Sequence, residues 1–168
     1  MTGEEIVKRE KLGFTRWINM YLKPRQVKVK DLFTDLADGN ILAHLMEVLS
    51  GESVQAYGRM KFPADMRIQQ IANLSVVFSF MKAHVKLVSI GPQDILEGDE
   101  KRILGLIWTL IEHFAVIMIN AHLQTDIRSY VELKETLMLW ARHKERIFLP
   151  SRFPSALPLP SHTNLTMA

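Results

Sequence analysis

The chain has 168 residues, 48% hydrophobic and 23% charged, which is the composition of one soluble globular domain with an appendage. It has no cysteine, which excludes a disulfide framework, a thiolate metal site and a cysteine nucleophile, and suits a reducing compartment. The net charge of +3 is unevenly spread: residues 1–30 carry eight Lys or Arg against three Glu, whereas residues 31–60 carry five acids against Arg59 alone, so a basic N-terminal face is available to an acidic protein surface or an anionic headgroup.

Met1 to Glu10 is charged rather than apolar and does not read as a secretory signal. From Val7 to Lys23 the residues Val7, Phe14, Trp17, Ile18, Tyr21 and Leu22 recur at helical spacing, with Lys8, Arg9, Arg16, Asn19 and Lys23 on the other side and Pro24 as terminator. Asp31 to Leu36 reads as a short helical turn. Asp38-Gly39-Asn40 then opens a helix over Ile41–Leu49, with Ile41, Leu42, Leu45, Val48 and Leu49 inward and Gly51 at its end.

A connection over 52–65 leads to a helix over Arg67–His84, whose inward residues are expected to be Ile68, Ile71, Leu74, Phe78 and Met81. Ser89-Ile90-Gly91-Pro92 is a turn, and Asp99 is positioned to cap a helix from Glu100 to about Ala115. The apolar run Ile103 to Ile119 is short for a membrane span and holds Glu112 and His113 in its middle, so it reads as a core helix and the chain as not transmembrane. Gly105 inside it costs roughly 1 kcal/mol relative to alanine, and close approach of another helix is the expected compensation. Trp17 and Trp108 are both expected to pack the core.

Residues 119–129 read as a linker, and Ser129 to Glu132 has capping-box spacing for a further helix that carries Leu133, Leu137 and Trp140 on one side. Four of the seven prolines fall in 150–160, so 149–168 reads as a disordered tail. There is no strand-like alternation long enough for a sheet, and the expected class is all-α.

Chemistry-bearing patterns are lacking. No glycine loop for phosphate, no His-Glu-x-x-His zinc pattern and no nucleophile elbow occurs. Glu112 and His113 are neighbours on a helix and point about 100° apart, a poor acid–base pair. No zinc-finger spacing or aromatic–basic interleaving favours nucleic acid. Asn73-Leu74-Ser75 and Asn164-Leu165-Thr166 match the glycosylation sequon formally and read as chance matches. Neither an enzyme nor a metal or cofactor site is expected.

The run Glu10-Lys-Leu-Gly-Phe-Thr-Arg-Trp-Ile-Asn19 resembles the first signature of actinin-type actin-binding domains. Leu87 to Ile111, with Ile90-Gly91, Asp94-Ile95, Gly98 and Leu104-Gly105-Leu106-Ile107-Trp108, resembles the second. Asp35 to Gly39, Leu45 to Glu52 and Gly58-Arg59-Met60 also match, the last leaning towards the β-spectrin branch. Together they cover about residues 8–116, a calponin-homology domain of the first type.

The departures are Gly13 and Arg102, where the signatures have Ala, Thr or Val and an aliphatic residue, and a longer connection after Met60.

The resemblance implies an all-α calponin-homology fold of four main helices with short connecting ones. It also implies binding to filamentous actin in the cytoplasm, at the cytoskeleton and cell cortex. Its signature core falls on Phe14, Trp17, Leu104, Gly105 and Trp108. The implied contact segments fall on Phe14 to Lys23 and Lys86 to Phe114, with Arg16, Asn19, Lys23, Lys86, Lys101, Arg102, Glu112 and His113 as candidate contacts.

The helix bearing Leu133, Leu137 and Trp140 resembles the first helix of a second such domain, a third contact segment. The organisation expected is a first domain over 5–118, the linker, a truncated start of a second domain over 130–148, and the tail. Two alternatives stand beside filament binding: a truncated isoform with weak or no actin binding, and a peripheral module for anionic phosphoinositides.

Overall fold

The computed structural model describes residues 2–123. Five α-helices follow in order: α1 (Gly3–Leu22), α2 (Asn40–Ser50), α3 (Arg67–His84), α4 (Pro92–Leu96) and α5 (Glu100–Leu123). Short 3-10 turns occupy Lys23–Arg25 and Val54–Tyr57. Four long helices with short connecting pieces are what the resemblance implies, and no strand occurs among the described residues.

Helix boundaries follow from local chemistry. α1 begins earlier than its apolar pattern, because Thr2 and Glu5 form a reciprocal capping box. It ends at Leu22, and Pro24 sits within the 3-10 turn that follows. Gly39 (φ 81°) caps α2, and Asp38 accepts from the N–H of Asn40. Gly51 (φ 76°) closes α2 in the left-handed conformation that glycine adopts without strain. Asp99 caps α5 by accepting from the N–H of Arg102. Residues 32–38 form successive turns rather than helix. They are held by Asp35, whose carboxylate accepts from the N–H groups of Lys30 and Asp31.

The core is built from Ile18 and Leu22 of α1, Leu32 and Leu36 of the turns, Leu42, Leu45 and Met46 of α2, Leu74, Phe78, Phe80 and Met81 of α3, and Ile103, Ile107 and Leu110 of α5. Fully burying one such side chain stabilises a fold by about 1.5–3 kcal/mol.

Several inward positions differ from the periodicity. In α2 the buried residues include Ala43 and Met46, while Val48 and Leu49 are only half-buried. In α3, Ile68 is 74% exposed, because it lies in the first turn, ahead of the stretch from Asn73 to Met81 that is packed. α5 runs to Leu123, past Ala115 and through the first residues of the expected linker. The remainder of that linker, the helix with Leu133, Leu137 and Trp140, and the tail lie outside the described residues.

Asn73 is a polar residue buried in the core, at 1% exposure. Its amide donates to the carbonyls of Asp38 and Lys61 and accepts from the N–H of Lys61. It ties the Lys61 connection and the α2 entry to α3. The same nitrogen is the one a glycan would need, so this sequon is structurally closed.

Candidate functional site

The two contact segments implied by the sequence come together on α1 and α5, which pack against each other. Ile18 and Leu22 anchor α1 inward, so the opposite face projects outward with Lys8, Arg9, Leu12, Arg16 and Met20 exposed. Arg16 and Lys23 make no ion pair among the described residues. Leu12 (53% exposed) and Met20 (48%) lie one turn either side of Arg16. Periodicity marked neither as a contact, because it assigns large apolar residues to the core.

Asn19 is engaged internally. Its Nδ2 donates to the carbonyl of Val29 at 2.9 Å, and its Oδ1 accepts from the N–H of Val29 at 2.7 Å. It holds the basic connection carrying Lys23, Arg25, Lys28 and Lys30 against α1. Arg25 is in turn paired with Glu47 at 3.3 Å. Lys11 bridges to Asp31 at 2.8 Å and lies over the ring of Phe33. The hydrogen bond from Lys11, helped by the N–H of Phe33, holds the Asp31 carboxyl below its ordinary value.

On α5 the structure corrects the sequence reading twice. Leu104 is buried and Phe14 and Trp17 are half-buried against the core, but Trp108 is 40% exposed and Gly105 is exposed. Among the described residues a Cβ at Gly105 would meet nothing within 4 Å, so no described helix approaches it. The helix is not buried all round: Lys101, Gly105, Trp108 and Glu112 succeed each other every three or four residues, a spacing that forms one outward stripe. Trp108 packs laterally on Phe14 instead of inward.

A groove of about 420 Å³ runs beside this stripe. It is lined by Leu87, Val88, Ser89 and Ile90 on one side and by Lys101, Arg102, Gly105, Leu106 and Thr109 of α5 on the other. Lys86 and Lys101 are exposed and make no ion pair among the described residues. Arg102 is committed locally: it lies 3.4 Å from Asp94 and 3.5 Å from Asp99, and donates to the carbonyl of Ser89 at 2.6 Å. Its charge is largely spent on holding the Ser89 loop to α5. Glu112 and His113 are half-buried. Burial, reinforced by the neighbouring His84, lowers the pKa of His113 below 6.5, so its imidazole favours the neutral form.

Among the described residues no group of three or more His, Cys, Asp or Glu could hold a metal ion. No helix among them is long and apolar enough to cross a membrane. The arrangement is one of exposed cations with exposed apolar side chains between them.

A calponin homology (CH) domain model matches residues 8–116. The chain belongs to the calponin homology domain family. The chain is 35% identical over 136 residues to spectrin beta chain, non-erythrocytic 4, of Homo sapiens, a match covering 80% of the chain and 5% of the relative. It is 36% identical over 136 residues to the erythrocytic spectrin beta chain of Mus musculus, covering 80% and 6%. It is 38% identical over 135 residues to microtubule-actin cross-linking factor 1 of Rattus norvegicus, covering 79% and 2%. The chain thus spans only a small part of the length of these relatives.

Proposed function

We propose that this CH domain is a non-enzymatic actin-filament-binding module of a spectrin-like cytoskeletal protein, acting in the cytoplasm at the cell cortex. The observation that carries this reading is the outward face of α1, where Arg16 and Lys23, exposed and without an ion pair among the described residues, alternate with exposed Leu12 and Met20. The likeness to a protein named for cross-linking microtubules and actin supports it. Lys86 and Lys101 extend the cationic surface on the α5 side.

Exposed cations steer encounter with an acidic surface, and apolar side chains add short-range affinity once water is displaced. Asn19 and Arg102 serve this face as positioning residues, through Val29 and Ser89. Glu112 and His113 complete the α5 contact stripe, and Leu133, Leu137 and Trp140 supply the third segment.

Co-sedimentation with filamentous actin at low and at physiological salt tests the reading. Wild-type protein pellets with filaments, less so at the higher salt. The double charge reversal R16E/K101E weakens pelleting about tenfold, ~1.4 kcal/mol. Absence of pelleting at low salt would sink the proposal.

The same face supports a second reading. A helix that alternates Arg9 and Arg16 with exposed Leu12 and Met20 also suits an anionic phosphoinositide surface. Binding to phosphoinositide-containing vesicles without binding to filaments would favour that reading over the first.

A further inference from the structure

Gly105 is unusual among the glycines of the domain. Gly39 (φ 81°), Gly58 (φ 152°) and Gly98 (φ 70°) adopt backbone conformations that a side chain resists. At Gly58 and Gly98 an added Cβ would also come within 2.8 Å of Val76 and 2.9 Å of the Phe33 carbonyl. Gly105 lies inside α5 with ordinary helical backbone, and among the described residues its Cβ would meet nothing within 4 Å. Neither backbone geometry nor packing among the described residues calls for glycine there, although glycine is the poorest helix former after proline. Gly13 in α1 is equally open, but only Gly105 belongs to the groove beside the Ser89 loop.

That groove has the make-up of a receiving site. Leu87, Val88, Ile90 and Leu106 give it apolar walls, and Val88 is 71% exposed at its lip. Lys101 lies one turn before Gly105 on the same helix row, with no ion pair among the described residues. Arg102 donates to the Ser89 carbonyl and so fixes the Ser89 loop to α5 at the edge of the groove.

We infer that Gly105 floors a seat on this domain for an apolar side chain of the actin filament, one flanked by a carboxylate that meets Lys101. Apolar walls select the side chain, and the Lys101 ammonium selects its acidic neighbour. The missing Cβ lets the partner come down onto the helix backbone. The inference rests on the filament-binding reading and adds where one of its contacts is made.

G105A and G105L place a methyl and an isobutyl group in the seat without an internal clash. Both are measured in filament co-sedimentation and by thermal melting, beside wild type. G105A should raise Tm by about 2–4 °C, because alanine favours helix, yet weaken filament binding about threefold. G105L should melt at or above wild type and bind at least roughly tenfold more weakly. Stability and binding moving in opposite directions is the signature of the seat, since a packing role would move them together. Wild-type-like binding by folded G105L overturns the inference and leaves filament binding standing. Should G105L not fold, G105A decides: unchanged or tighter binding overturns the inference. Failure of wild type to pellet overturns the filament reading, and the seat with it.

Discussion

The ring of Phe14 on α1 stacks on that of Trp108 on α5, with centroids 6.4 Å apart and planes 26° from parallel. This contact joins the two signature segments at the surface of the domain rather than in its centre. It leaves Trp108 40% exposed. Offset aromatic pairs contribute about 0.5–1.5 kcal/mol beyond their buried area. A double-mutant cycle over F14A and W108A, read by denaturant unfolding, should give a coupling energy in that range. No coupling would mean that each ring is held by other neighbours.

Arg16 and Asn19 sit one turn apart on α1 and should separate cleanly in experiment. N19A leaves the N–H and carbonyl of Val29 without their partners, and should cost about 1–3 kcal/mol of stability. R16A removes an exposed charge and should change stability by less than about 0.5 kcal/mol while reducing filament pelleting. Equal loss of stability in both variants would contradict this division.

Asn73 should be the least replaceable polar residue of the core. N73A strands the Asp38 carbonyl and both backbone groups of Lys61, and is expected to cost about 1–3 kcal/mol, measurable as a lower urea midpoint. N73D should be at least as damaging, because it sets a carboxylate against two carbonyl oxygens. Expression in a glycosylating host should leave Asn73 unmodified by mass spectrometry, as its nitrogen is already committed twice.

Acid should destabilise the domain in two stages. The folded pKa of His113 is lowered from 6.5 by burial and by His84. The unfolded chain therefore takes up the proton first, and stability falls as pH drops from the ordinary histidine range towards the lower folded value. Asp31 is likewise lowered from 3.8 by its bond to Lys11. The stability it contributes is present above that value and lost as pH falls through the folded one. Tm measured between about pH 7.5 and 5.5 should decline, and H113Q should flatten that decline. D31N should instead alter only the acid limb, modestly, since its side chain is 46% exposed.

Helix order, the all-α class, the caps at Gly39, Gly51 and Asp99, and the ends of α3 were legible in the residues. They depend on local spacing and on turn chemistry that acts within a few positions. Which side of α5 is covered was not legible. Apolar residues line nearly its whole circumference, so periodicity could not show that Gly105 and Trp108 face outward while Ile103, Ile107 and Leu110 face in.

The candidate contacts divide along the same line. Charge and the signature runs pointed to Arg16, Lys23, Lys86 and Lys101, and the structure leaves all four exposed. Only the tertiary arrangement showed Asn19 bonded to Val29 and Arg102 held by Asp94 and Ser89, because those partners are eight or more residues away. It also placed exposed Leu12 and Met20 beside Arg16 on the outward face of α1. The sequence by itself determined the four long helices α1, α2, α3 and α5 and the family they belong to, since both follow from residue order along the chain. Packing alone decided which side chains remain free to meet a partner, since that depends on how each helix is turned against its neighbours.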